Sequence, residues 1–124
     1  MNDQEIEREL QAKGLNAPRV TPADLEAVIV SEHYFTATQG APFGTTDVSG
    51  TPFEGYLPSA LNLLTFCVLV LKNGFTVTGQ SACASPENFN AETGRKLARV
   101  NAVNQLWPLL GYQLKQRLFE EGRG

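Results

Sequence analysis

From Leu64 to Leu71 the chain is almost continuously apolar, and from Phe75 to Cys83 apolar residues recur with small and polar ones between them. Lys72-Asn73-Gly74 stands between the two runs. Asn-Gly is a strong hairpin signal, because a type I′ turn needs positive φ at both central residues and these two types tolerate it. The pattern predicts a hairpin over 64–71 and 75–83 turning on Asn73-Gly74. With Lys72 opposite Phe75, Val70 pairs with Val77, Val68 with Gly79 and Phe66 with Ser81. In that register Phe66, Val68, Val70, Phe75 and Val77 form the core face. Cys67, Leu69 and Leu71, opposed by Gln80, Thr78 and Thr76, form a half-covered face that meets another sheet or a second subunit.

A long helical pattern follows. Its start is either Ser85 with Pro86 at the first helical position, or Asn90 followed by Ala91 and Glu92, since both satisfy the capping preferences. Leu97, Ala98, Ala102, Leu106, Leu109 and Leu110 recur at helical spacing, with Arg95, Lys96, Arg99 and Asn104 mostly off that stripe. An amphipathic helix lying on the hairpin is the economical reading. Pro108 lacks an amide proton and clashes with the preceding turn, so a kink or restart is expected there, with 109–118 as a final segment.

Toward the N-terminus, Asp3 to Ala12 reads as a short helix with Ile6 and Leu10 on one side, acids at its start and Gly14 beyond its end. Thr21-Pro22-Ala23-Asp24 supplies a cap, a proline at the first helical position and an acid three residues after the cap. A helix of one or two turns to about Ala27 is therefore expected. A third strand follows near 28–35, with Val28, Val30 and Tyr34 alternating against Ile29 and Ser31. Between 36 and 59, Gly40, Pro42, Gly44, Gly50, Pro52, Gly55 and Pro58 interrupt any period, while Phe43, Phe53 and Tyr56 remain apolar. This reads as a long loop, of a kind that often carries binding function. The fold class is α+β: a small antiparallel sheet packed on one face by helices, in a single domain over 1–124.

Composition narrows the function. The 124 residues suit one domain that buries roughly two thirds of its unfolded surface. A net charge of −3 leaves no electrostatic footprint for general nucleic-acid or acidic-membrane binding. The polar, acidic first fourteen residues are unlike a signal peptide, and the most apolar run, 61–71, is too short to span a bilayer, so the expected location is the cytoplasm. Cys67 and Cys83 fall on opposite sides of the hairpin in the predicted register and are read as reduced, packed thiols. With no CxxC spacing and a single histidine, His33, no metal set or cofactor is expected.

Catalytic arrangements are equally sparse. A nucleophile and base would require His33 beside Cys83 or Ser81 in space, and a solvated or packed His33 is the simpler reading. Glu87 and Glu92 lie near a helix start, where acids are expected for dipole reasons alone, and Glu26 and Glu32 share no face in this reading. No phosphate loop or GxGxxG occurs. The expectation is a protein that is not an enzyme. A route to ligand binding runs through Arg95, Lys96 and Arg99, cations close to a helix start, with Phe43, Phe53 or Tyr56 available to stack a base or contact a partner. The competing reading is a solvated basic face. Trp107 is read as a core or interface anchor.

The run Asn73-Gly74-Phe75-Thr76-Val77-Thr78-Gly79-Gln80-Ser81-Ala82-Cys83-Ala84-Ser85-Pro86-Glu87-Asn88-Phe89-Asn90, then Gly94-Arg95-Lys96-Leu97-Ala98, Asn101-Ala102, Trp107 and Gly111-Tyr112, resembles a family of small tailed-phage and prophage proteins typified by genes of phages such as N4 and Sf6. Thr21 to Val30 resembles that family's entry segment, whereas 36–59 looks longer than its usual connection. The resemblance implies an accessory phage protein of the infected bacterial cytoplasm, outside the virion. By analogy with small acidic phage proteins, it implies a binding protein that inhibits a host defence factor or sequesters a nucleotide-like signal. The alternative is an interaction module docking another protein through an exposed hairpin face and loop aromatics. The expected partners are thus a host protein or a phosphate-bearing small molecule, with a homo-oligomer compatible with either.

Overall fold

The computed structural model describes residues 2–14, 17–52 and 55–123. Helix α1 (Asp3–Ala12) is capped by Asn2, whose side chain accepts from the Glu5 amide while Glu5 reaches back to the Asn2 amide. Helix α2 (Pro22–Val28) repeats this box with Thr21 and Asp24 and has Pro22 at its first position. Two otherwise unpaired amides are satisfied in each case, so these starts are written locally in the sequence. Strand β1 (Ile29–Thr36) follows directly, then a four-residue helix α3 (Ala37–Gly40). Strands β2 (Leu64–Leu71) and β3 (Thr76–Ala82) form the hairpin, and helices α4 (Ala91–Asn104) and α5 (Leu106–Glu120) close the chain. Of the two starts open for α4, Asn90 is the one used: it accepts from the Thr93 amide at 2.9 Å, while Pro86–Asn88 makes a separate 3-10 turn. The break falls at Gln105 rather than at Pro108, which places the proline at the third position of α5, where a missing amide costs no helical hydrogen bond.

Among the described residues the sheet is antiparallel with order β1-β2-β3, and the fold is α+β as the sequence predicts. The hairpin register differs from the expected one by a single residue: Val70 pairs with Thr76, Leu69 with Val77, Cys67 with Gly79 and Thr65 with Ser81. The turn explains the slip. Leu71 and Phe75 close it, the Gly74 amide donates to the Leu71 carbonyl at 2.9 Å, and the Asn73 side chain accepts from the Phe75 amide at 2.9 Å. Gly74 has φ of 88°, and no described non-glycine residue has positive φ. This is a three-residue loop with glycine at the left-handed position, not a two-residue type I′ turn. A one-residue slip sends every β2 side chain to the other face. The buried set is therefore Thr65, Cys67, Leu69 and Leu71, while Phe66, Val68 and Val70, expected in the core, face the opposite way. Val77 stays buried, and Phe75 is exposed.

Strand β1 carries a second register shift. Ile29 pairs with Leu71 but Ser31 with Val70, so Val30 bulges out and is 57% exposed rather than alternating into the core. Beyond the bulge Glu32 lies beside Leu69 and Tyr34 beside Cys67, on the side the helices cover.

The core gathers Leu25 of α2, Cys67, Leu69, Leu71 and Val77 of the hairpin, and Ala98, Ala102 and Leu106 of the C-terminal helices. Each fully buried leucine contributes about 2 kcal/mol of hydrophobic transfer. Helix α4 approaches the sheet very closely. Its buried residues are Gly94, Ala98 and Ala102, one per turn, and a Cβ placed on Gly79 would lie 2.2 Å from both the Ala98 carbonyl oxygen and the Ala102 nitrogen. Asn101, next to that seam, donates from Nδ2 to the Gln80 carbonyl at 2.7 Å. Helix α1 is held from outside the core, through Trp107 Nε1 donating to Asp3 at 3.2 Å and an Arg19–Glu7 ion pair.

The segment expected as a long loop contains α3, a 3-10 turn at Ala41–Phe43, an isolated bridge between Thr46 and Pro52, and a second 3-10 turn at Ser59–Leu63. Its tip is set by Asp47, whose carboxylate accepts from the Ser49 and Thr51 amides at 2.9 and 3.0 Å.

Two glycine substitutions separate packing from propensity. Gly79→Ala is expected to lose about 3 kcal/mol in urea unfolding, because the clash is with helix backbone that no rotamer can move aside. Gly111→Ala, inside α5 with open space around its Cα, is expected to gain about 0.5–1 kcal/mol in the same measurement.

Candidate functional site

The three cations singled out in the sequence do not converge. Lys96 pairs with Glu92 at 3.2 Å one turn earlier, and Arg95 is exposed. Arg99 lies in the third turn of α4, away from the helix start at Ala91, and its guanidinium is already held. Nη1 and Nη2 donate to the two oxygens of Glu26 at 3.0 and 2.7 Å, and Nε and Nη2 donate to Glu32 at 2.8 and 3.2 Å. Tyr34 Oη adds a 2.6 Å bond to Glu32. One arginine thus ties together α2, β1 and α4. The Arg99 bonds hold both carboxyls below the ordinary glutamate range, while burial and the Glu32 bond push the Tyr34 phenol above its ordinary value. Glu26 and Glu32, expected to share no face, meet because the bulge at Val30 turns Glu32 to the helix side.

The opposite face of the sheet is the larger chemical feature. By register it carries Ser31, His33 and Phe35 from β1, Leu64, Phe66, Val68 and Val70 from β2, and Thr76, Thr78, Gln80 and Ala82 from β3. The β2 residues of this set are partly exposed and Phe35 is exposed. Phe35 and Phe66 stack with ring centroids 5.4 Å apart. No Asp, Glu, Lys or Arg occurs on the face. The exposed hairpin face expected from the sequence is therefore present but is the other one, since Cys67, Leu69 and Leu71 are buried.

Among the loop aromatics, Phe43 is 91% and Tyr56 100% exposed, and Phe53 lies outside the described residues. A separate open groove of about 800 Å³ runs between α2 and α5, lined by Val20, Val28 and Leu110 together with Arg19, Asp24 and Arg117. Its mixed charge selects no ligand class.

His33 Nε2 lies 3.0 Å from Ser31 Oγ on the open face. It is not beside Ser81, which pairs with Thr65 on the helix side. Cys67 and Cys83 are both unbridged. In the observed register they no longer point to opposite sides. Cys83 is level with Leu63, four positions along the strand from Cys67, and that offset of roughly 13 Å is too long for a disulfide. Burial raises the Cys67 thiol pKa, which keeps it protonated. Among the described residues no three His, Cys, Asp or Glu side chains cluster as metal ligands, and no helix is long and apolar enough to cross a membrane.

The site thus consists of an arginine held between two carboxylates on the helix side of the sheet and an uncharged face on the other. The sequence model of the phage protein family described as N4 Gp49/phage Sf6 gene 66 matches residues 20–118, and the chain belongs to that family. Neither a curated protein nor a solved structure matches it.

The Arg99 cluster gives a pH-dependent signature. Arg99→Met is expected to cost about 1 kcal/mol at pH 7, at the low end for a multidentate pair because Glu26 is substantially exposed. Carboxyls depressed in the folded state add stability above their unfolded pKa of about 4.3 and lose it as pH falls through the lower folded values. The gap between wild type and Arg99→Met in urea midpoints should therefore close progressively below about pH 4.3.

Proposed function

We propose that this phage protein is a non-enzymatic interaction module of the infected bacterial cytoplasm that docks a macromolecular partner through the open face of its sheet. The observation that carries the reading is the uncharged apolar set Phe35, Leu64, Phe66, Val68 and Val70, gathered on one face whose flanking positions Thr76, Thr78 and Gln80 are exposed. Phe43 and Tyr56, exposed on the segment joining β1 to β2, add aromatic surface of the type enriched at interfaces.

Sequestration of a nucleotide-like signal by Arg95, Lys96 and Arg99 is the weaker reading. Arg99 would have to release two carboxylates to accept a phosphate, leaving Glu26 and Glu32 close together without their counter-charge.

Photo-crosslinking tests the docking surface. With p-benzoylphenylalanine at Thr78, an exposed position on the open face, an adduct is expected in infected cells, and Val68→Glu in the same chain should abolish it. The same probe at Arg8 on α1 should give none. No adduct at Thr78, or one insensitive to Val68→Glu, would remove the face from the reading.

A further inference from the structure

We propose that the occupant of the open sheet face is a second copy of this chain, packed sheet to sheet about a two-fold axis. The inference rests on the reading that this face docks a macromolecule, and it names that macromolecule.

The central strand gives the first argument. Leu64, Phe66, Val68 and Val70 on one side and Cys67, Leu69 and Leu71 on the other make β2 apolar on both faces, a pattern characteristic of strands covered on both sides. Helix α4 and its neighbours cover only one. Charge selects the kind of cover. The chain has 23 charged residues and the open face holds none of them, so it offers nothing for an oppositely charged partner to match. An isologous contact instead sets each patch against its own copy, where any charge would meet its like. The polar groups present are Ser31, His33, Thr76, Thr78 and Gln80, all of which both donate and accept hydrogen bonds and so can match themselves.

Area sets the extent. Strands spaced about 4.8 Å apart and rising about 3.3 Å per residue give a face of roughly 14 by 26 Å, about 370 Å² in projection. A standard interface buries about 800 Å² per partner. Side-chain relief closes part of that difference. The remainder calls for flanking apolar surface, for which the exposed Phe43 and Tyr56 on the segment joining β1 to β2 are the candidates.

Size-exclusion chromatography with light scattering on the purified chain at about 0.1 mM, which fills any interface tighter than about 1 μM, tests this directly. Wild type should run at twice the 13.5 kDa chain mass. Val68→Glu should weaken the dimer at least about a hundredfold, so that its average mass falls toward that of the monomer on dilution below about 0.1 mM while wild type stays dimeric, with unchanged far-UV circular dichroism. Thr78→Glu, at an exposed position of the same face, should do likewise and serves if Val68→Glu misfolds. Tyr56→Ser should weaken the dimer about tenfold, whereas Phe119→Glu on the outer side of α5 should leave it intact. A monomeric wild type, a dimer surviving both face substitutions, or one dissociated by Phe119→Glu alone would overturn the proposal. A monomer that still crosslinks from Thr78 to another protein in infected cells would overturn self-association while leaving the docking reading standing. A monomer with no crosslink would end both.

Discussion

The closeness of α4 to β3 is the constraint on which the rest of the molecule depends. At Gly79 the strand backbone and the helix backbone at Ala98 and Ala102 meet with no room for a single methyl group. That approach brings α4 low enough for Arg99 to reach Glu26 and Glu32, 73 and 67 residues earlier in the chain, and sets Leu106, at the start of α5, in the core. Small residues here do the work that large ones do elsewhere: they leave little surface to bury and instead fix a distance. Gly94, with Thr65 Oγ1 3.0 Å from where its Cβ would stand, repeats the arrangement one strand over.

The hairpin, the first strand and the starts of α1, α2 and α4 were legible in the sequence because their signals are local, whereas α3 and the break at Gln105 were not. The capping boxes at Asn2 and Thr21, the proline after Thr21 and the asparagine at position 90 each act within one turn of chain. The register was not legible, because β2 is apolar on both faces and such a run has no phase for a two-residue period to lock onto. Its phase was left to the turn, and Lys72-Asn73-Gly74 fits two loop lengths that differ by the one residue that matters. The bulge at Val30 was invisible for a related reason: it shows only in pairing with β2, not in the strand's own pattern.

The candidate site divides in the same way. That Arg95 and Arg99 lie on one helix face follows from spacing, but what Arg99 touches is settled by tertiary placement, and the answer is two of the chain's own carboxylates. Tyr34 and the stacked pair Phe35 and Phe66 drew no attention as chemistry because each is an ordinary strand residue until register assembles them. The exposed face was anticipated as a feature and assigned to the wrong side for the reason just given. What the structure contributes is therefore orientation more than inventory.

The hydrogen bond from Asn101 to Gln80 sets a limit on assembly. Leu71 and Leu63 bond to Phe75 and Cys83, so odd-numbered residues of β3 turn inward to β2 and Gln80 presents its carbonyl at the outer border of the sheet. A further strand arriving there would have to displace the amide that α4 already provides. An exposed border of this type is where β proteins polymerise into open-ended fibres, because each added strand regenerates the surface it consumed. The bond to Asn101 occupies that outward group of β3 and so hinders strand addition at Gln80.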